Sequence, residues 1–121
     1  MLTREDIFKH VKEKYGTSPN YPWKKYQNYA TLRHESNKKW YGLIMNVLPE
    51  KLGLEGNDEI DILNLKCPPE ISDSLRNGKN ILPGYHMDKE HWISLVLDRT
   101  DPEGEIYYLI EQSFNLTKLT K

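Results

Sequence analysis

Five polar residues, Glu35-Ser36-Asn37-Lys38-Lys39, separate two runs that read as strands, 30–34 and 40–48. That gap suits an antiparallel hairpin. It is far too short for the crossover of about a dozen or more residues that a parallel pair needs. A third strand-like run, 60–66, follows a loop holding Gly53, Gly56, Asn57 and Asp58. Ile81-Leu82-Pro83-Gly84 reads as a turn, 85–87 as a short strand, and 92–97 as the last strand after the turn Asp88-Lys89-Glu90-His91.

Three helices complete the pattern. Thr3 and Asp6 stand where an N-cap and its acidic partner three residues on would stand, and Ile7, Phe8, Val11 and Tyr15 recur at helical spacing. Gly16 can supply the left-handed cap, so the first helix is expected over 4–15. Pro68-Pro69 opens a second helix that Gly78 stops. Asp101-Pro102 opens a third, the longest, with Ile106, Leu109, Ile110 and Phe114 in one stripe. Between the first helix and the first strand, residues 16–29 carry Pro19, Pro22, Tyr21, Trp23, Tyr26 and Tyr29, an irregular aromatic arm on the surface. The fold class is α+β: one mainly antiparallel sheet with helices packed on one face.

The 121 residues make one domain, 1–121, and its 13 aromatics suffice for a core. No apolar run approaches the roughly 20 residues of a membrane helix. No signal peptide is expected from the N-terminal residues, and the single cysteine, Cys67, excludes an internal disulfide and a cysteine-cluster zinc site. A cytoplasmic monomer is the expectation.

Strand alternation assigns faces. Tyr41, Leu43, Met45 and Val47 share one side, as do Leu63 with Leu65, and Ile93, Leu95 and Leu97; these are expected beneath the helices. The opposite side carries Trp40, Gly42, Ile44, Asn46, Asn64, Lys66, Trp92, Ser94 and Val96. Such a face, if open, can stack bases or bind a ligand. The rival reading folds the aromatic arm over its tryptophans.

Charge is unevenly spread. Residues 1–40 hold nine Lys/Arg against four Asp/Glu, and residues 41–121 hold eight against fourteen. Within the basic part, Lys24, Lys25, Arg33, Lys38, Lys39 and Trp40 interleave cations with aromatic rings, the pairing a nucleic-acid surface uses for phosphates and bases. The competing reading is an amphipathic edge whose lysine stems cover tyrosine rings. His86, Asp88 and His91 are metal-ligand types, but their spacing fits no standard zinc pattern, and no metal or other cofactor is expected. Asp88 is expected to cap its turn and His91 to bond across strands beside Trp92. Cys67 lacks a feature that would activate it, Ser94 and Ser113 lack a nucleophile-elbow context, and there is no glycine-rich phosphate loop, so no catalytic residue is assigned.

Trp40-Tyr41-Gly42-Leu43-Ile44-Met45, Ile62-Leu63-Asn64-Leu65-Lys66-Cys67 and above all Tyr85-His86-Met87-Asp88-Lys89-Glu90-His91-Trp92-Ile93-Ser94-Leu95 resemble the MmcQ/YjbR family. The Leu82-Pro83 turn and the helix bearing Ile106-Tyr107-Tyr108-Leu109-Ile110 and Ser113-Phe114 are similar to it as well. The likeness spans Thr3 to about Thr117, and the Pro22-Trp23 arm resembles members from Gram-positive bacteria. The resemblance implies a frataxin-like (CyaY-like) α/β sandwich and a DNA-binding role. It brings no catalytic residues. His86, Lys89, His91 and Trp92 match the family motif without an assigned role. A frataxin-type iron role would want an acidic first helix, and this one carries Arg4, Lys9, Lys12 and Lys14. The function expected is DNA binding through backbone phosphates. The rival is a small-molecule- or protein-binding domain that uses the open sheet face.

Overall fold

The computed structural model describes residues 2–100 and 105–118. The expected capping residues of the third helix, Asp101 and Pro102, lie outside them. The elements run α1 (Arg4–Tyr15), β1 (Ala30–Arg33), β2 (Trp40–Val47), β3 (Ile60–Lys66), α2 (Pro69–Leu75), β4 (Ile81–Pro83), β5 (Trp92–Val96) and α3 (Glu105–Lys118). The five strands form one antiparallel sheet in the order β1-β2-β3-β5-β4. The α+β expectation therefore holds.

The local signals at α1 act as read. Thr3 and Asp6 form a reciprocal capping box, and Gly16 adopts the left-handed conformation (φ 72°) while its N–H donates to the Lys12 carbonyl. The short strand falls elsewhere than expected: it is Ile81–Pro83, and residues 85–87 turn instead. Pro83 does not prevent this, because β4 is an edge strand and Pro83 is its last residue.

The helices cover one face. Ile7 and Val11 of α1 and Ile106, Leu109 and Ile110 of α3 pack there with Leu32, Ile44, Leu63, Leu65, Ile93 and Leu95. Leu43, Met45 and Val47 do not join them. They lie on the other face with Ile62, Leu82 and Val96, and Ile44 takes the place under the helices. The cause is a bulge. Leu32 pairs with Gly42 and Arg33 with Trp40, so Tyr41 has no partner across the strand and the alternation shifts by one from there on. Helix α3 pins this irregularity: the Ser113 hydroxyl donates to the Tyr41 carbonyl (2.6 Å) and accepts from the Lys66 N–H (2.9 Å).

The second face is not open. Trp23 and Tyr29 of the arm, Leu52, Leu54, Tyr85 and Met87 pack on it together with Trp40. Its polar residues are satisfied internally. The Ser94 hydroxyl donates to Asn64, the Asn64 amide to the Tyr85 carbonyl (3.1 Å), and the Tyr85 N–H back to Ser94 (2.8 Å). Of the two readings of this face, the structure matches the one in which the aromatic arm folds over it, with Trp23 against Trp40.

Candidate functional site

The charge run around the β1–β2 hairpin separates into two neighbouring places. Arg33 and Lys38 border a cleft of about 550 Å³ at one end of the molecule, where the hairpin tip meets the C-terminal ends of α1 and α3. Lys12 and Lys118, from the last turns of those helices, border the same cleft, and Glu35 is its one carboxylate among the described residues. Stacked rings of Tyr15 and Phe114, 4.0 Å apart, form an apolar wall. His34 also lines it, and its Nε2 lies 2.8 Å from the Thr117 hydroxyl. Thr117 donates to the Ser113 carbonyl, and on that assignment its oxygen accepts from the His34 N–H. Burial, and secondarily Lys118, lower the His34 pKa, which favours the neutral ring.

Lys24 and Lys25 occupy the exposed arm and do not border the cleft; Lys39 is likewise exposed and outside it. The arm is held against the sheet by paired backbone hydrogen bonds between Asn20 and Thr31 (3.0 and 2.8 Å), and Arg33 reaches the Asn20 side chain (3.0 Å). Lys25 lies 5.8 Å from the ring centroid of Tyr26, which stacks on Tyr29. Tyr21 and Tyr26 remain 51% and 44% exposed, large enough areas to offer a ring to solvent. Trp40 meets Trp23 edge-on at 5.5 Å and helps close the second face, so it is a packing residue more than a free platform. Among the described residues the ion pairs lie elsewhere: Arg4 with Asp61, Lys14 with Glu111, Arg76 with Asp73, and Asp88 with His91.

The 84–92 turn is tied by its own side chains. Asp88 accepts from the Glu90 N–H (3.0 Å) and pairs with His91 Nδ1 (2.7 Å), both of which pull its pKa down, the His91 contact most. The His91 side chain thus bonds within the turn rather than across strands as expected, while its carbonyl accepts from the Cys67 N–H across the strands (2.8 Å). Lys89 donates to the Gly84 carbonyl (2.9 Å). Gly84 is required by close approach: a Cβ there would lie 2.7 Å from the Trp92 Cβ and 2.9 Å from its carbonyl oxygen. His86 is exposed, adopts φ 60° and packs edge-on against Tyr85. Ligand atoms of Asp88, Glu90 and His91 lie within 4.8 Å of one another, a possible cation seat by type; His86 is not part of it. Cys67 is buried, and burial raises its thiol pKa, which disfavours the thiolate.

The motif-bearing turn and the bulged β2 lie within the stretch that a family model recognises. The YjbR family model matches residues 12–116. The chain belongs to the YjbR family. Its YjbR relatives include the uncharacterized protein YyaQ of Bacillus subtilis strain 168, 88% identical over 118 residues that cover 98% of this chain and all of YyaQ. YjbR of Escherichia coli K12 is 36% identical over 53 residues, 43% of this chain and 45% of that protein. A crystal structure of a Pseudomonas syringae protein superposes with a TM-score of 0.92 at 43% identity, covering 96% of this chain and 99% of that one. The Deinococcus radiodurans protein DR2400 gives a TM-score of 0.74 at 25% identity, over all of this chain and 84% of that one.

Lys12 and Lys118 were missed by sequence reasoning. They stand 106 positions apart, each in the last turn of a different helix, where a lysine reads as a partner for the helix end. The convergence of α1, α3 and the hairpin on one point has no local signature.

Proposed function

We propose that this protein is a cytoplasmic nucleic-acid-binding domain that holds single-stranded DNA through its phosphates along the arm and the β1–β2 hairpin. The observation that carries this reading is the run of cations, Lys24, Lys25, Arg33, Lys38 and Lys39, that make no ion pair among the described residues, beside the exposed rings of Tyr21 and Tyr26. Cations along a backbone track with rings for the bases is the arrangement that sequence-tolerant single-strand binders use. The likeness to MmcQ members, and the CyaY-like sandwich that likeness implies, favour the same role by analogy. On this reading binding runs through phosphates, is weak at physiological salt (about 10⁻⁴–10⁻⁶ M) and tolerates any sequence.

A salt titration tests it. Five cations allow at most about five phosphate contacts, so the log–log slope for single-stranded DNA should stay at or below roughly 3.5 in magnitude, at about 0.7 per contact. The double substitution Lys24→Gln, Lys25→Gln should reduce that slope by about 1.4 and leave the fold intact. Absence of binding to mixed-sequence single strands at low salt overturns the reading.

A further inference from the structure

Among the described residues the cleft is bordered by more cations than carboxylates. Lys12, Arg33, Lys38 and Lys118 border it, and Glu35 neutralises one of the four. The C-terminal ends of α1 and α3 also face it, each worth about half a negative charge, so together they offset roughly one more. Counted over the described residues, about two positive charges remain. A phosphodiester carries one negative charge; a terminal phosphate, a monoester, carries close to two at neutral pH.

Lys38 adds a second observation. Its backbone is left-handed (φ 63°), a conformation that favours glycine or asparagine, and it is fixed by the bond from its N–H to the His34 carbonyl (3.0 Å). The turn geometry does not call for a lysine, and the residue that stands there lines the cleft. The volume of about 550 Å³ exceeds a phosphate group and falls within the range of small-ligand sites, about 300–1,000 Å³. The stacked Tyr15 and Phe114 supply an apolar wall for whatever the phosphate is attached to.

We propose that this cleft seats a terminal phosphate group carried on a nucleoside, held by Arg33 and Lys38 from the hairpin and by Lys12 and Lys118 from the helix ends. Arg33 offers a planar fork for two phosphate oxygens, and the lysines act as point charges around the third. The inference rests on the reading that the basic edge receives nucleic-acid phosphates. It adds that the cleft distinguishes the phosphorylated end of a strand from its interior. Two sources carry the same chemistry, the end of a strand and a free mononucleotide.

The test compares four probes at low salt by anisotropy or calorimetry: a short oligothymidylate with a terminal phosphate, the same strand with hydroxyl ends, thymidine monophosphate, and thymidine. The phosphorylated strand should bind about tenfold more tightly than the hydroxyl strand, the size of one charge-assisted hydrogen bond. Lys38→Gly relieves the left-handed backbone, so it should fold at least as well as the parent while losing that preference. Arg33→Gln should lose it too. Equal affinity for the phosphorylated and hydroxyl strands overturns the cleft and leaves the strand reading standing. Binding of thymidine monophosphate as tight as the phosphorylated strand, with none of the hydroxyl strand, keeps the cleft and overturns the strand reading. No binding of any phosphorylated probe overturns both.

Discussion

The two faces of the sheet are covered by different kinds of structure. Under the helices, 17 buried residues form one continuous cluster, with α1 and α3 supplying rows of apolar side chains at helical spacing. On the other face, among the described residues, the buried hydrophobic cluster has six members, and the cover is the arm, residues 52 and 54, and the 84–92 turn. A helix brings a preformed ridge to the sheet; a loop contributes one or two side chains and must be tied down by specific hydrogen bonds. The helix side should therefore respond to a lost side chain as a rigid body does, and the loop side by local adjustment.

The largest effect should come from Leu95→Ala. Leu95 is 1% exposed in the middle of the helix-side cluster, and its removal should cost about 4 kcal/mol in urea unfolding, since neighbours held by two helices cannot collapse into the hole. Met45→Ala, on the loop side at 3% exposure, should cost only about 2 kcal/mol, because the arm can settle inward. Equal costs for the two substitutions would break the contrast between the faces. A smaller effect should appear with pH. Burial holds the folded-state pKa of His34 below its ordinary 6.5. The unfolded chain then takes up a proton that the folded chain refuses, so this stability is fully present above about pH 6.5 and is lost as pH falls below it. Thermal melts between neutral and mildly acidic pH should show this decline, with a shallower slope in His34→Gln. An unchanged slope in that variant removes His34 as the cause.

What could be read in advance follows the same division. The capping box at Thr3 and Asp6 and the cap at Gly16 are local chemistry, and they place both ends of α1. The 60–66 run matches β3 because alternating residues between turn formers leave little freedom. The Pro83-Gly84 pair misplaced β4, since a proline permitted only by edge position looks like a turn in one dimension. The faces of β2 were read backwards beyond Tyr41. Gly42 inside the run hints at an irregularity but does not say which residue is extra, and the bulge is held by Ser113, 72 positions from Tyr41. The cleft was half legible: Arg33 and Lys38 belong to the basic run, while Lys12 and Lys118 reach it through tertiary packing alone.

The pairing of Asn20 with Thr31 also bears on solubility. Strand β1 is one border of the sheet, and a bare border is a template on which another chain can add a strand. Here the arm occupies part of that border through two backbone hydrogen bonds, and the opposite border is a three-residue strand that ends in a proline. Both margins are thus blunted against self-association, one of them by the segment that bears Lys24, Lys25, Tyr21 and Tyr26. A ligand that peeled the arm away would uncover the β1 margin and invite aggregation. On the proposed reading, a strand bound to the arm would lie on its outer side, with the β1 margin still covered.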